Sequence, residues 1–348
     1  MVNLERELFE KAARAVRELR GLRRPRVEDV FERKCYLVPS SFSVENYPRK
    51  RPHAAFNPGA LVKGRRLLLF PRLVFDYYKY VSSIGVTELE IDELLEERVE
   101  EPLRTKLVLW PRELWEFLGC EDPRVSAAGD GVLILYTGKG YSLEGELVRR
   151  DVLALARVDG SWEAKSKSYF RIKRRGEEFV PPSNKDSAFV RIAGEEATML
   201  TRPEVRGIRI CWRAEADLAR SEMRGDTLEP VFSIEEWEIK VGWSTNVLKL
   251  SSNEYLVGWH GVLKTDLSYR EGLAIVDDQG RLLAVSDYLL SPRGVCEEYG
   301  DRPLVIFGDG LVAYREYLLW IGGISDYAIG VFAARLDRAL EKLRWLEG

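Results

Sequence analysis

From Phe56 to Gly330 the chain nearly loses helical periodicity. Short runs of Val, Ile, Leu, Tyr and Trp alternate with turns rich in Gly, Asp, Asn and Ser. A long series of short strands restricts the fold to a sandwich, a barrel or a propeller. A weak internal repeat selects among them. Five segments share one order: a polar residue, an apolar run, a polar turn and a second apolar run. They open at Asn57, Asp122, Asp186, Asn246 and Asp301, at spacings of 65, 64, 60 and 55 residues. A unit of this size holds one four-stranded blade with its loops. The expected fold is therefore all-β, a five-bladed β-propeller over residues 51–330.

The flanks read differently. Leu4, Leu8, Ala12, Val16 and Leu19 recur at helical spacing, with Asn3 as a cap and Gly21 as a stop. Phe332, Leu336, Leu340 and Leu343 form a second stripe, opposite Asp337, Arg338, Glu341 and Lys342. Residues 1–50 are thus expected as a helix and linker, and 331–348 as a C-terminal helix packed on the propeller. Either stripe can serve the protein's own body or a partner, a second copy of the chain included. The basic run from Tyr47 to Pro52 is short and local, as in a solvated linker.

Charge excludes some functions. With 53 Lys and Arg against 56 Asp and Glu, the chain has no basic field to draw nucleic acid or anionic lipid. No apolar stretch reaches the roughly 18 residues of a membrane span, and the N-terminus is charged from Glu5 onward. Both point to a cytoplasmic protein. Charged residues make up 31% of the chain and Gln occurs once, at Gln279, a composition of thermophile type. Cys35, Cys120, Cys211 and Cys296 are far apart and show no metal-ligand or redox spacing. They read as small buried hydrophobes, with a disulfide left open.

In a propeller the inner strand of every blade lines one channel, so the five opening residues would converge on one pocket. A ring of amides and carboxylates suits a hydroxyl-rich ligand. Taken singly, each residue can equally cap a turn.

The motifs then fall in a recognisable order: Phe56-Asn57-Pro58, Glu121-Asp122-Pro123-Arg124, Lys185-Asp186, Arg202-Pro203, Trp259-His260-Gly261-Val262, Glu297-x-x-Gly300 and Gly322-Gly323-Ile324-Ser325-Asp326. The series resembles glycoside hydrolase family 130, the β-mannoside phosphorylases and related hydrolases, over most of the chain. The resemblance implies an inverting enzyme with Asp122 as its acid, a crowded, buried carboxyl whose raised pKa lets it hold a proton. It implies a sugar site drawn from Asn57, Arg72, Arg124, Asp186, Glu297 and Asp326. It places cationic or phosphate-side groups at Lys185, Arg202, Lys240 and His260, with inorganic phosphate as co-substrate and neither metal nor cofactor. Lys240 can also read as an outward strand residue, His260 as a buried structural histidine, and Arg202 as a partner for a neighbouring carboxylate.

Three departures stand out. Thr201 replaces the family's usual histidine before Arg-Pro. Gly242-Trp243-Ser244-Thr245 replaces a glycine-rich approach. An arginine near the third blade has no match, with Lys165 or Arg171 as substitutes. The leading expectation is a phosphorylase acting on a β-mannoside. The alternatives are a hydrolase in which Glu297 or Asp186 serves a water, and a non-catalytic carbohydrate-binding propeller.

Overall fold

The computed structural model describes residues 3–143 and 145–346. It is dominated by β-strands, as the alternating pattern predicts, arranged as five antiparallel meanders in four hydrogen-bonded sheets. The opening strands are Ala54–Lys63, Gly119–Ala128, Asn184–Ala193, Glu238–Lys249 and Ile306–Tyr314. Each pairs with the strand that follows it, and that strand with the next. The first two meanders share one sheet through a single parallel bridge, Ser82 to Gly119. Apolar residues fill the spaces between neighbouring meanders. Leu67, Leu69, Ile321 and Val331 lie between the first and fifth, and Val257, Trp243, Leu200 and Cys211 between the third and fourth.

The N-terminal helix runs Leu4–Glu18, and the Asn3 side chain accepts from the Glu5 amide at 2.8 Å. Its stripe of Leu4, Leu8 and Ala12 is buried against Phe170, Met199 and Trp212, so it serves the protein's own body. No helix among the described residues is long and apolar enough to cross a membrane.

Two expectations at the chain ends need correction. The segment read as a linker contributes a strand, Glu32–Leu37, antiparallel to Ala328–Arg335, which completes the fifth meander. The stripe read as a C-terminal helix is mostly not helical. Ala328–Arg335 is a strand, only Leu336–Leu340 is helical, and Arg344–Trp345 pairs with Leu282–Val285. Residues 347–348 of that expected helix lie outside the described residues. Pairing on both edges of Ala328–Arg335 overrides a spacing that a strand buried on both faces can mimic.

Glu297, expected to touch substrate, instead anchors the N-terminal segment. Its fully buried carboxylate accepts Arg33 Nε and Nη2 at 3.1 Å each, Tyr36 Oη at 2.8 Å and the Arg293 amide at 2.8 Å. Four donors leave it little capacity to hold a sugar or activate water. Glu297→Ala removes one of the two carboxylates paired with Arg33, which keeps Asp29 at 2.6 Å, and is expected to cost about 2 kcal/mol, the scale for hydrogen bonds to a buried charged group. Chemical denaturation checks the loss, and a substrate-binding role would instead show as a raised KM with unchanged stability.

Candidate active site

The five opening strands share one irregularity. Pairing register slips at Phe56/Gly59, Glu121/Arg124, Lys185/Ala188, Trp243/Val247 and Gly308/Gly310. Each slip is a β-bulge, which bends a strand and re-aims the extra residue. The bulges carry Asn57, Asp122, Asp186, Ser244 to Asn246, and Asp309. Asn57, Asp122 and Asp186 have φ of 43°, 52° and 53°. Asn and Asp tolerate this left-handed region better than other non-glycine residues, which explains their use here.

The fifth position corrects the sequence reading. Asp301 lies in the loop before the strand, and Asp309 occupies the bulge. The spacing held the signal, since 309 − 246 is 63 and 301 − 246 is only 55. Asn246 does not face a ligand either. Its amide is clipped to the Leu311 backbone at 2.8 and 2.9 Å, joining the fourth and fifth opening strands.

One group of side chains surrounds Asp122. Its Oδ1 accepts Asn57 Nδ2 and Arg72 Nη1, both at 2.9 Å. Arg72 also donates Nη2 to Glu121 Oε1 at 2.8 Å and Nε to Ser82 Oγ at 2.8 Å, and it lies over the Phe56 ring. Gly323 is required beside this group, because a Cβ there would overlap Asn57 Oδ1. Burial alone would push the Asp122 carboxyl up. Arg72, Arg124 and the Asn57 amide outweigh it and hold the group below its ordinary range. The expectation of a raised pKa fails at Asp122 for that reason. Asp326, influenced by Arg72, Arg302 and Asp122, goes the other way and is pushed up to about 6, chiefly by burial.

A second group surrounds Asp186. Its Oδ2 accepts Arg202 Nε at 2.6 Å and lies 3.7 Å from His260 Nε2. Lys240 bonds Tyr269 Oη at 3.0 Å, and Arg302 donates to the same oxygen at 2.8 Å. His260 stacks on the Tyr269 ring. A Cβ on Gly242 would come within 2.5 Å of Asp186 Oδ2 and 2.6 Å of His260 Cε1, so this close approach needs glycine. Burial holds His260 well below its ordinary pKa and so neutral. Its tautomer depends on a buried chain, Glu271 Oε2 to Ser244 Oγ at 2.7 Å and Ser244 Oγ to His260 Nδ1 at 3.1 Å. Burial raises Glu271 well above the usual carboxylate range. Ser244 Oγ donates to Glu271 Oε2, so its oxygen is left to accept from His260 Nδ1.

Arg124 joins the two groups. It donates to the carbonyls of Ser244 at 2.7 Å and Asp122 at 2.9 Å, and its Nη2 lies 2.8 Å from Asp309 Oδ1 and 3.7 Å from Asp186 Oδ1. Lys185 falls on the Asp122 side, paired with Asp151 at 2.9 Å and 3.7 Å from Glu121, apart from the other three expected cations. Lys165 and Arg171 pair with surface carboxylates and supply no substitute arginine. Residues the sequence reading missed are Glu121, Ser244, Tyr269, Glu271, Arg302 and Asp309. Tyr269 and Arg302 belong to no motif and reach the site only through the fold.

The family model described as beta-1,4-mannooligosaccharide phosphorylase, glycoside hydrolase family 130, matches residues 21–344. The chain belongs to family 130. Members of family 130 are glycoside phosphorylases or hydrolases, and the chain is an enzyme of that kind. The beta-1,2-mannobiose phosphorylase of Thermoanaerobacter sp. (strain X514) is 28% identical over 297 residues, covering 80% of this chain and 89% of that protein. The beta-1,2-mannobiose phosphorylase of Listeria innocua has the same fold, at a TM-score of 0.66 and 17% identity, covering 88% of this chain and 96% of that one. MPT-4, a mannose phosphorylase from Leishmania mexicana solved with a phosphate ion, aligns at a TM-score of 0.59 and 12% identity over 91% and 92% of the two chains.

The carboxyl of Asp326 gives a signed pH prediction for this family 130 site. Its folded pKa, about 6, lies above the ordinary 3.8. It therefore penalises the folded state once ionised, with no penalty below about pH 4 and the full penalty above about pH 6. A shift of this size corresponds to roughly 3 kcal/mol. Asp326→Asn is expected to gain stability relative to the parent between pH 4 and pH 8, and unfolding free energies measured at both ends check it.

Proposed function

We propose that the chain is an inverting glycoside phosphorylase that cleaves a β-mannoside with inorganic phosphate and releases mannose 1-phosphate, in the channel of a five-bladed propeller. For the propeller, the support is that the opening strands neighbour one another in chain order and the fifth lies beside the first. A cytoplasmic setting is part of the proposal, because phosphorolysis keeps the energy of the glycosidic bond in a sugar phosphate.

The observation that carries the reading is the basic excess around Asp186. Arg202, Lys240 and His260 meet a single carboxylate, and Arg202 Nη1 and His260 Nε2 are buried without a hydrogen-bond partner. A buried polar atom without a partner is costly, and hydrogen phosphate, with several acceptor oxygens and one hydroxyl, satisfies both at once. Lys185 keeps a different role here, setting the field around Glu121 and Asp122.

Asp122 supplies the proton. It is a carboxylate in the free site, so it must be loaded as the ligands enter. A phosphate anion arriving nearby adds negative charge and displaces water, and both raise a carboxyl pKa. The proton then passes to the glycosidic oxygen, directly or through a sugar hydroxyl, as that oxygen leaves. A phosphate oxygen attacks the anomeric carbon from the opposite face and inverts it. Asn57, Arg72 and Asp326 hold the sugar. A hydrolase would need a free carboxylate to activate water, and both candidates are engaged, Glu297 by Arg33 and Tyr36 and Asp186 by Arg202.

The test is incubation with β-mannobiose with and without phosphate, following mannose 1-phosphate. Product is expected only with phosphate. Asp122→Asn should lower kcat by about 10²–10⁴-fold without loss of fold, the usual contribution of general acid catalysis. Arg202→Ala with Lys240→Ala should abolish phosphorolysis. Sugar release that ignores both phosphate and this double replacement would establish a hydrolase.

A further inference from the structure

A cleft of about 470 Å³ lies beside the site, lined in part by Tyr47, Phe75, Asp76, Tyr78, Lys79 and Trp110. It falls within the usual range of small-ligand sites, about 300–1,000 Å³ with aromatic walls and a few polar groups. Strand direction puts it at the same edge of the first meander as Asn57 and Arg72. The Arg66–Val74 strand ends there just after Arg72, the Ser82–Glu90 strand starts there, and Leu103–Leu109 ends there. One residue belongs to both places. Ser82 lines the cleft, and its Oγ accepts Arg72 Nε at 2.8 Å.

The loop between Phe75 and Val81 divides them. Tyr80 turns toward the catalytic side, where its hydroxyl donates to the Asp326 carbonyl at 3.1 Å, and Tyr77 packs on Tyr80 and His53. Asp76, Tyr78, Lys79 and Val81 line the cleft on the other side. Tyr78 is 87% exposed and Trp110 37%, a large outlay of aromatic surface to leave in water. Arg112 covers one face of the Trp110 ring and is not part of the cleft wall.

We propose that this cleft is a distal subsite for a β-mannoside substrate, holding sugars that extend across the 75–81 loop beyond the cleaved linkage. The inference rests on the phosphorylase reading of the Asp122 site. Sugars present apolar C–H faces and hydroxyl edges, and amphipathic aromatic rings beside Asp76 and Lys79 match both. Longer oligosaccharides therefore gain contacts that a disaccharide cannot reach.

The experiment compares the parent with Tyr78→Ala/Trp110→Ala over β-mannooligosaccharides of two to five sugars. In the parent, KM should fall with chain length. In the double variant this dependence should vanish, raising KM for the longest substrate about tenfold, the scale of one lost aromatic platform. Turnover of the disaccharide should stay within about twofold, since neither residue touches the site. A chain-length dependence that survives in the variant, or is absent from the parent, overturns the subsite. Direct titration of the five-sugar ligand, read by calorimetry, separates the two ideas. Binding that weakens in the variant supports the cleft even if no β-mannoside is turned over, and equal binding in both proteins refutes it.

Discussion

One buried guanidinium ties the opening strands of four meanders together. Arg124 belongs to the second meander, bonds the backbone of the fourth at Ser244, and pairs with Asp309 of the fifth and Asp186 of the third. It is 4% exposed, so its charge depends on those carboxylates. They depend on it in turn, because Asp309, fully buried, has a pKa already pushed well above the usual range. A lysine could not replace it, since three separate directions require the planar fork of arginine. The bulges that aim Asn57, Asp122, Asp186 and Asp309 and the guanidinium that spans them form one construction.

That construction gives two neighbouring environments opposite chemistry. Around Asp122, guanidinium and amide donors favour the carboxylate. At Asp326, burial dominates and favours the acid. The Asp186 side gathers Arg202, Lys240 and a neutral His260. A carboxylate held ionised thus lies across Arg124 from a pocket rich in buried basic groups.

The sequence was most readable where local chemistry and global position coincide. Asn57, Asp122 and Asp186 were found because a bulge with positive φ favours Asn or Asp, and the repeat set them about one meander apart. The same rule misled at Asp301, which lies in the loop before the fifth opening strand, while Asp309 occupies its bulge. The family motif misled at Glu297, which is present while its carboxylate serves Arg33 and Tyr36.

By itself, the sequence determined the β-rich class, the repeat, the N-terminal helix and the residue types of the site, because period and turn chemistry are local properties. Tertiary structure alone decided the rest. Whether Phe332 sits in a helix or a strand depended on Glu32–Leu37 arriving from the far end of the chain. Whether Asp122 is held as an acid or a carboxylate depended on Arg72 and Arg124, whose charges act over a few ångströms in space. Tyr269 and Arg302 joined the Asp186 side through packing that no spacing along the chain encodes. Electrostatic and pairing energies depend on distance in three dimensions, and a sequence records only order.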